Sequence, residues 1–160
     1  IVSDESATSS LIVTPHALQA KPHDWLALTG GSIGQGLPLA IGASIAKPDR
    51  PVITLHGDGG AMYTVQALWT QARENLNITN IIFSNRSYEI LKIELDRVQA
   101  VETGERAASM FSMDNPPIDW VNLAESMGVQ GYKPKTVKEF KDVFSKSVNE
   151  SGPSLIEIEI

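Results

Sequence analysis

The chain lacks cysteine, long apolar runs and clusters of lysine or arginine. Without cysteine it forms neither disulfides nor thiolate metal sites, which fits a cytoplasmic protein. No stretch approaches the roughly 18 apolar residues that a membrane span requires, so no membrane role is indicated. The formal net charge of -6 and the scattered cations argue against a nucleic-acid surface. An anionic phosphate ligand would therefore need a metal ion or backbone amides to hold it.

The length of 160 residues suits one domain that covers residues 1–160. Hydrophobic residues make up 42% and charged residues 20%, an ordinary composition for a soluble globular domain. The sequence starts at Ile1 rather than Met, and its IVSDES opening is typical of a strand that runs into a turn. We therefore expect one domain of a longer polypeptide. A signal peptide is not expected, because no charged segment precedes an apolar one.

Apolar runs of strand length alternate with segments of helical periodicity along the whole chain. The predicted strands are 25–28, 52–55, 80–83, 129–132 and 155–160, and the predicted helices are 37–46, 64–75, 119–127 and 137–149. Such alternation is typical of parallel strands joined by right-handed crossovers. We predict an α/β fold, an open and mostly parallel sheet with helices on both faces. The polar segment 99–117 is either a mobile loop over a site or a surface excursion.

Three loops follow predicted strands, and open α/β sheets bind ligands at the carboxyl ends of their strands. They are TGGSIGQG at 29–36, HGDGG at 56–60 and SNRSY at 84–88. The first loop, with Tyr88 and Lys92, also resembles the glycine turn and Y-x-x-x-K pair of short-chain nicotinamide-dependent reductases. In those enzymes the pair lies well over a hundred residues beyond the glycine turn, whereas the interval from Thr29 to Tyr88 is 59 residues. This reductase alternative predicts nicotinamide binding without a metal.

The second and third loops together suit a metal ion. Asp58 lies between glycines at a strand end, where the backbone approaches a ligand closely and amides of the following turn face an anion. Asn85 follows the next strand 27 residues later, and the turn beyond it offers the carbonyl of Ser87. Magnesium is usually bound by one or two carboxylates plus substrate phosphates. These residues predict a metal that bridges the protein to a diphosphate, unless Asp58 is a helix cap and Asn85 a turn former.

The same residues carry a resemblance to a known family. G-D-G followed about 27 residues later by Asn is the signature of thiamine-diphosphate-dependent enzymes. The run GDGGAMYTVQALWTQARENLNITNIIFSNRSYEIL resembles the diphosphate-binding domain of the benzoylformate decarboxylase and acetolactate synthase group. The block GGSIGQGLPLAIGA before it and IDWVNLAESMGV after it extend the resemblance over essentially all of the chain.

The resemblance implies thiamine diphosphate and Mg²⁺ as cofactors. Asp58 and Asn85 would bind the metal through their side chains and Ser87 through its carbonyl. Gly31 would offer its carbonyl to the aminopyrimidine ring, and Ile33 would hold the cofactor in its bent shape from below. The residues expected to contact the cofactor are Thr8, Gly31, Ser32, Ile33, Gly57, Asp58, Gly59, Gly60, Asn85, Ser87, Tyr88, Glu89 and Ile90.

Several positions near these loops keep two interpretations. The ESAT segment, 5–8, falls where the family often holds the terminal phosphate, and Thr8 suits that role, although Ser and Thr before a helix are also common caps. Tyr88 and the residues after it would line the substrate side of the site or pack as a helix. His56 precedes the metal loop and is expected to be a buried histidine rather than a cofactor contact.

Differences from the family patterns narrow the implied activity. Leu91 stands where pyruvate decarboxylases carry a glutamate, and the Gln-His pair of many acetolactate synthases is absent near residue 5. The implied activity is that of a 2-oxo acid decarboxylase or carboligase, acetolactate synthase-like or alternatively benzoylformate decarboxylase-like. A non-catalytic assembly module is the remaining alternative.

The resemblance also implies that the site is shared with another domain. No catalytic residue is assigned to this chain, because in the family the activating glutamate comes from a pyrimidine-binding domain of the same or another subunit. The full-length enzyme would be a homodimer or homotetramer acting on a 2-oxo acid, and the isolated domain would be inactive.

Overall fold

The computed structural model describes residues 1–98 and 104–160. Its strands are β1 (Val2–Glu5), β2 (Trp25–Ala27), β3 (Val52–Gly57), β4 (Ile78–Ser84), β5 (Gln130–Tyr132) and β6 (Ser154–Glu159). Its helices are α1 (Ser10–Ala17), α2 (Gly36–Ala46), α3 (Asp58–Ala61), α4 (Ala67–Arg73), α5 (Glu89–Arg97), α6 (Glu105–Ser109), α7 (Trp120–Ser126) and α8 (Val137–Asn149). A short 3₁₀ helix, Ala7–Ser9, joins β1 to α1.

The strands form one sheet in the order β2-β1-β3-β4-β6-β5, which confirms the predicted α/β fold. Every pair of neighbouring strands is parallel, where the prediction allowed a mostly parallel sheet. Each predicted strand is present to within about two residues of its predicted bounds. Strand β4 is buried along nearly its whole length, as expected for a continuous apolar run inside a parallel sheet.

Helices α2, α4 and α7 cover one face of the sheet. Leu37, Leu68 and Trp120, one from each helix, share a cluster of buried side chains with Ile82 and Leu155 of the sheet. Helix α8 joins β5 to β6, a step across the sheet in the opposite direction, so a right-handed crossover places it on the other face. The prediction of helices on both faces is therefore confirmed.

Helices α1, α3, α5 and α6 lie outside the predicted helix ranges, although a helix after Tyr88, where α5 lies, was one of two interpretations of that segment. Helices α3 and α6, with 4 and 5 residues, are too short for a 3.6-residue period to be visible. Helix α1 contains Pro15 and has no buried residue, so it shows neither good helix propensity nor an apolar face. The predicted helix 64–75 is real but shorter, since α4 begins at Ala67.

The segment 99–117, interpreted from sequence as a loop, contains helix α6 and then contacts the third loop. Residues 99–103 lie outside the described part of the chain. The amide of Tyr88 donates to the carbonyl of Phe111 at 2.9 Å, and the amide of Met113 donates to the carbonyl of Arg86 at 2.8 Å. In the part that the structure describes, no helix is long and apolar enough to cross a membrane.

Candidate functional site

The candidate site lies where three adjacent strands end. Strands β1, β3 and β4 are neighbours and parallel, so their carboxyl ends meet at one edge of the sheet. The strand register pairs Glu5 with His56 and Gly57 with Phe83. The 3₁₀ helix Ala7–Ser9, helix α3 and the turn after Ser84 therefore begin side by side.

Asp58 begins α3 directly after β3, and the residue as a whole is only 3% exposed. Its Oδ1 accepts a hydrogen bond from the amide of Gly59 at 2.9 Å, and its Oδ2 accepts one from the amide of Arg86 at 2.7 Å. Burial raises the pKa of Asp58, and these two amide bonds act in the opposite direction. The bond to Arg86 ties the carboxylate to the turn that follows β4.

That turn is shaped by Asn85 and Arg86. The Oδ1 of Asn85 accepts a hydrogen bond from the amide of Ser87 at 2.9 Å, a local turn closed by the side chain. Arg86 has a φ of 54°, the left-handed region that such a tight turn requires. An amide oxygen has two lone pairs, so Asn85 keeps one for a metal ion. The turn-former interpretation and the metal-ligand interpretation of Asn85 are thus compatible.

A polar cavity lies in front of these groups. Ten of the residues expected to contact the cofactor line it: Thr8, Gly57, Asp58, Gly59, Gly60, Asn85, Ser87, Tyr88, Glu89 and Ile90. The 3₁₀ helix and its neighbours supply further lining residues, Ser6, Ala7 and Ser9, and Phe83 comes from β4. We call this cavity the polar lobe.

A second, more apolar cavity adjoins the first. Ile33, Leu28, Tyr63 and Leu91 line it, and Glu5 contributes to its wall. The two cavities share their lining at Ala7, Gly57, Gly59, Gly60, Tyr88 and Ile90. We call the second cavity the apolar lobe. Their junction needs a glycine, because a Cβ at position 59 would lie 2.7 Å from the ring of Tyr88.

Two predicted residues do not line either lobe as the structure describes them. Gly31 and Ser32 lie on the exposed part of the loop 29–36. The carbonyl of Gly31 accepts a hydrogen bond from the amide of Ile33 at 2.9 Å, so it is already engaged within the loop. Its second lone pair is the one that a ligand would use. Ile33 points toward the apolar lobe and is 53% exposed.

Glu5 belongs to the segment 5–8 that the resemblance implies near the terminal phosphate, and the structure gives its carboxylate other partners. Its carboxylate accepts hydrogen bonds from the amides of Gly34 and Gly36, which belong to the loop 29–36. A carboxylate beside a diphosphate would also repel it. Glu5 is therefore engaged with the loop 29–36, whereas Thr8 lies at the wall of the polar lobe.

Sequence reasoning missed several lining residues, above all Tyr63, Leu28 and Phe83. Tyr63 lies just after α3. A prediction of a short helix that begins at Asp58 would have placed Tyr63 near the site. Leu28 and Phe83 stand at the ends of predicted strands, so the sequence indicated that they lie near the loops. The sequence did not indicate the register between the strands, which decides which strand ends meet.

Residues 7–158 match the family model described as thiamine pyrophosphate enzyme, C-terminal TPP binding domain. This chain belongs to the thiamine pyrophosphate enzyme family. Thiamine pyrophosphate is thiamine diphosphate, so the cofactor implied by the sequence resemblance is the cofactor of the family, in which Mg²⁺ is the usual partner metal.

Relatives within the thiamine pyrophosphate enzymes include both predicted groups. The chain is 46% identical over 159 residues to IlvX of Mycobacterium tuberculosis, assigned as an acetolactate synthase large subunit, covering 99% of this chain and 31% of that protein. It is 29% identical over 138 residues to benzoylformate decarboxylase of Pseudomonas aeruginosa, covering 86% of this chain and 25% of that protein.

A solved structure agrees with these relatives. The thiamine diphosphate-dependent 4-hydroxybenzoylformate decarboxylase of Rhodococcus jostii superposes with a TM-score of 0.84 at 33% identity, covering 99% of this chain and 29% of that one. The chain thus spans about a third of the length of the relatives that it matches.

The donor set fits the family's cofactor. Across residues 1–98 and 104–160, no cluster of three His, Asp or Glu side chains could hold a metal ion by itself. Asp58 and the amide oxygen of Asn85 are hard oxygen donors, and they leave most of a magnesium octahedron to phosphate oxygens and water. The polar lobe suits a diphosphate with its metal, and the adjoining apolar lobe suits aromatic rings.

Proposed function

We propose that this chain, residues 1–160, is the single cofactor-binding domain of a multidomain 2-oxo acid decarboxylase or carboligase of acetolactate synthase type, dependent on thiamine diphosphate and Mg²⁺. The observation that carries the proposal is the buried Asp58 carboxylate at the end of β3, bonded to the Asn85 turn through the amide of Arg86. That arrangement places hard oxygen donors beside a cavity that continues into an apolar lobe.

The polar lobe holds the metal and the diphosphate in this proposal. Asp58 and Asn85 bind Mg²⁺ through side-chain oxygens, and Ser87 binds it through its carbonyl. The amides of Gly59 and Gly60, at the start of α3, donate to the diphosphate. The hydroxyl of Thr8, across the lobe on the 3₁₀ helix, donates to the terminal phosphate.

The apolar lobe holds the cofactor rings. Ile33 and Ile90 contact them, while Gly31 and Ser32 approach from the loop 29–36. Tyr88 and Glu89 border the entrance, and the carboxylate of Glu89 accepts a hydrogen bond from Lys92 at 3.1 Å. When bound, thiamine diphosphate supplies the nucleophilic carbon that attacks a 2-oxo acid. The residues of this chain bind and orient it and exclude water from the rings.

The rest of the active site is assigned to a partner domain. The chain spans about a third of the length of its relatives, which leaves room for further domains. We propose that the activating glutamate lies on a pyrimidine-binding domain of the same or another subunit. We propose a homodimer or homotetramer in the cytoplasm that acts on a 2-oxo acid. The isolated chain would then be inactive, and turnover by the purified 160-residue chain would contradict this assignment.

A benzoylformate decarboxylase-like activity is the second candidate. It is favoured by the 33% identity to the Rhodococcus jostii 4-hydroxybenzoylformate decarboxylase and by the apolar side chains of Leu28 and Leu91 in the apolar lobe. Carbon dioxide release from pyruvate and from benzoylformate by the natural polypeptide that contains this chain distinguishes the two. Preference for pyruvate, with a carboligation product, supports the first candidate, and preference for benzoylformate supports the second.

The cofactor site itself is tested by calorimetric titration with thiamine diphosphate, with and without Mg²⁺. We expect magnesium-dependent binding that Asp58→Ala abolishes, because the variant lacks the only charged metal ligand of the proposed set. Asp114→Ala is the matched control, since this exposed carboxylate pairs with Arg86 of the same turn but lines neither lobe as described.

Titration with NADH separates the family cofactor from the reductase alternative. Binding of NADH without metal, together with no binding of thiamine diphosphate, would overturn the proposal. Equal loss of binding in Asp58→Ala and Asp114→Ala would show that the turn, rather than the Asp58 carboxylate, matters.

A further inference from the structure

We propose that Glu5 and His56 form a positioning pair that holds the loop 29–36 against the cofactor, so that binding of the thiamine rings depends on them more than binding of the diphosphate. The inference rests on the proposed function, because it takes the apolar lobe as the site of the rings. Glu5 and His56 are positioning residues in this sense, acting through the loop.

The first observation concerns the carboxylate of Glu5, a residue only 5% exposed. Its Oε1 accepts a hydrogen bond from the amide of Gly34 at 2.5 Å, and its Oε2 accepts one from the amide of Gly36 at 2.6 Å. Hydrogen bonds from backbone amides to a carboxylate are about twice as strong as those between neutral groups. One side chain therefore fixes two positions of the loop, Gly34 and Gly36.

The second observation is the fully buried ring of His56 on the neighbouring strand. Its Nε2 lies 3.1 Å from Oε2 of Glu5, although the alignment falls short of a hydrogen bond. Its Nδ1 lies 3.1 Å from the carbonyl oxygen of Gly57. The ring thus fills the space between the carboxylate and the strand end that leads to Asp58.

The third observation is that glycines leave room for this pair. A Cβ at Gly36 would lie 2.8 Å from Cδ2 of His56 and 3.0 Å from Cβ of Glu5. A Cβ at Gly60 would lie 3.1 Å from both Oε1 of Glu5 and Cε1 of His56. The pair is therefore packed between the loop 29–36 and helix α3, the two segments that carry the apolar and polar lobes.

The remaining contacts of the loop explain why its position depends on the pair. Gly30 and Gly31 have positive φ values of 61° and 70° and would meet no atom within 4 Å if they carried a Cβ. Besides Glu5, Thr64 and Ser3 also hold this loop: the hydroxyl of Thr64 donates to the carbonyl of Gly34 at 2.7 Å, and that of Ser3 donates to the carbonyl of Gly36 at 2.9 Å. The segments that line the polar lobe, in contrast, are joined directly, because the amide of Arg86 in the turn after β4 donates to the carboxylate of Asp58 in α3.

The test compares two ligands in the natural polypeptide that contains this chain: thiamine diphosphate and inorganic diphosphate, each with Mg²⁺, by calorimetric titration. In Glu5→Gln one acceptor oxygen becomes an NH₂ group that faces a backbone N–H. We expect thiamine diphosphate to bind about tenfold more weakly and inorganic diphosphate to change by less than about twofold.

Two further variants keep the test decisive. Glu157→Gln changes a second buried glutamate, outside the lining of both lobes as described, and we expect less than about twofold change for either ligand. Glu5→Asp keeps both acceptor oxygens on a shorter stem and should bind thiamine diphosphate more tightly than Glu5→Gln. It also supplies the comparison between ligands if Glu5→Gln does not fold.

The possible failures are distinguishable. Wild-type protein that binds neither ligand overturns the proposed function and this inference together. Wild-type binding of both ligands, with equal weakening of both in Glu5→Gln and Glu5→Asp, overturns the positioning role alone, because the pair would then serve only general stability. Tighter binding of thiamine diphosphate by Glu5→Gln than by Glu5→Asp would also overturn it, since acceptor number would not matter.

Discussion

Glu5 and Glu157 are both buried glutamates, with 5% and 1% of their surface exposed, but they lie in different regions of the sheet. Glu5 ends β1 beside the candidate site and accepts hydrogen bonds from two backbone amides. Glu157 lies in β6 and faces the ammonium group of Lys133 at 3.0 Å, with no hydrogen bond to its carboxylate oxygens among the described residues.

The difference lies in what each carboxylate constrains. A backbone amide cannot move without moving the chain, so Glu5 sets the position of a loop. A lysine side chain has many rotamers, and that of Lys133 is 30% exposed and also lies 2.8 Å from Glu159. Glu157 therefore compensates the charge of Lys133 without fixing the position of the backbone. Burial of a charged group therefore does not by itself indicate a functional role. The nature of its partners does.

The largest predicted contrast is in stability. Glu5→Gln should lower the free energy of unfolding by about 3 kcal/mol, because it breaks a hydrogen bond to a charged group and leaves a buried amide without an acceptor. Glu157→Gln should cost about 1 kcal/mol or less, because Lys133 keeps its contact with Glu159. Urea unfolding of both variants measures the difference, and equal losses would contradict the comparison.

Two glycines of α2 test how tightly the region around Glu5 and His56 is packed. Gly36→Ala should cost about 2 kcal/mol, because its Cβ would press on the buried ring of His56. Gly42→Ala, in the same helix but with no atom within 4 Å of the added Cβ, should gain about 0.5 to 1 kcal/mol. Thermal unfolding of the pair checks this, and destabilisation by both would show that helix α2, rather than the Glu5–His56 contact, is intolerant.

The pH dependence of stability should report the charge of Glu5. Burial would raise the pKa of Glu5, but His56 and the amides of Gly34 and Gly36 outweigh it and hold the pKa below its ordinary value of 4.5. A lowered pKa in the folded state means that this stabilisation is complete above about pH 4.5 and is lost as the pH falls through the folded-state pKa.

We therefore expect the stability difference between wild type and Glu5→Gln, followed from about pH 6 to about pH 3, to stay constant above about pH 4.5 and to shrink below it. Urea unfolding across that range measures it. A difference that stays constant with pH would mean that the pKa of Glu5 is the same in the folded and the unfolded protein.

The smallest effect is predicted at the exposed end of β6. Lys133, followed by Arg86 and Lys135, lowers the pKa of Glu159 to about 2, despite opposing desolvation. The side chain of Glu159 is nevertheless 39% exposed, so water and salt screen its ion pairs. Glu159→Gln should leave the urea midpoint at neutral pH within the error of the measurement. A loss as large as that of Glu5→Gln would contradict the distinction between the two regions.

Much of the fold was predictable because local patterns and tertiary packing agree. The predicted strand 80–83 is nearly continuous in apolar residues, and it lies within the buried strand β4. Asp58 and Asn85 were predicted as partners from their positions after successive strands, and the amide of Arg86 does connect the two loops. Parallel strands that follow one another often lie side by side, which is why this inference works.

Helix α1 and Glu5 show where such reasoning ends. Helix α1 contains Pro15 and buries no residue, so no periodic pattern announces it. Glu5 stands 29 residues before Gly34, and the parallel pairing of β1 with β2 sets the end of β1 beside the loop that follows β2. The strand order places β1 between β2 and β3, an insertion that the order of strands along the chain does not reveal.

Short-range periodicity and the chemistry of single side chains were enough to predict the α/β alternation, the glycine-rich strand ends and the residue types proposed to bind the metal. They did not predict that β1 lies between β2 and β3, that Glu5 bonds to the loop 29–36, or that the polar and apolar lobes join at Gly59. Those features depend on strand register and side-chain direction, which are set by packing across the whole sheet rather than by neighbours along the chain.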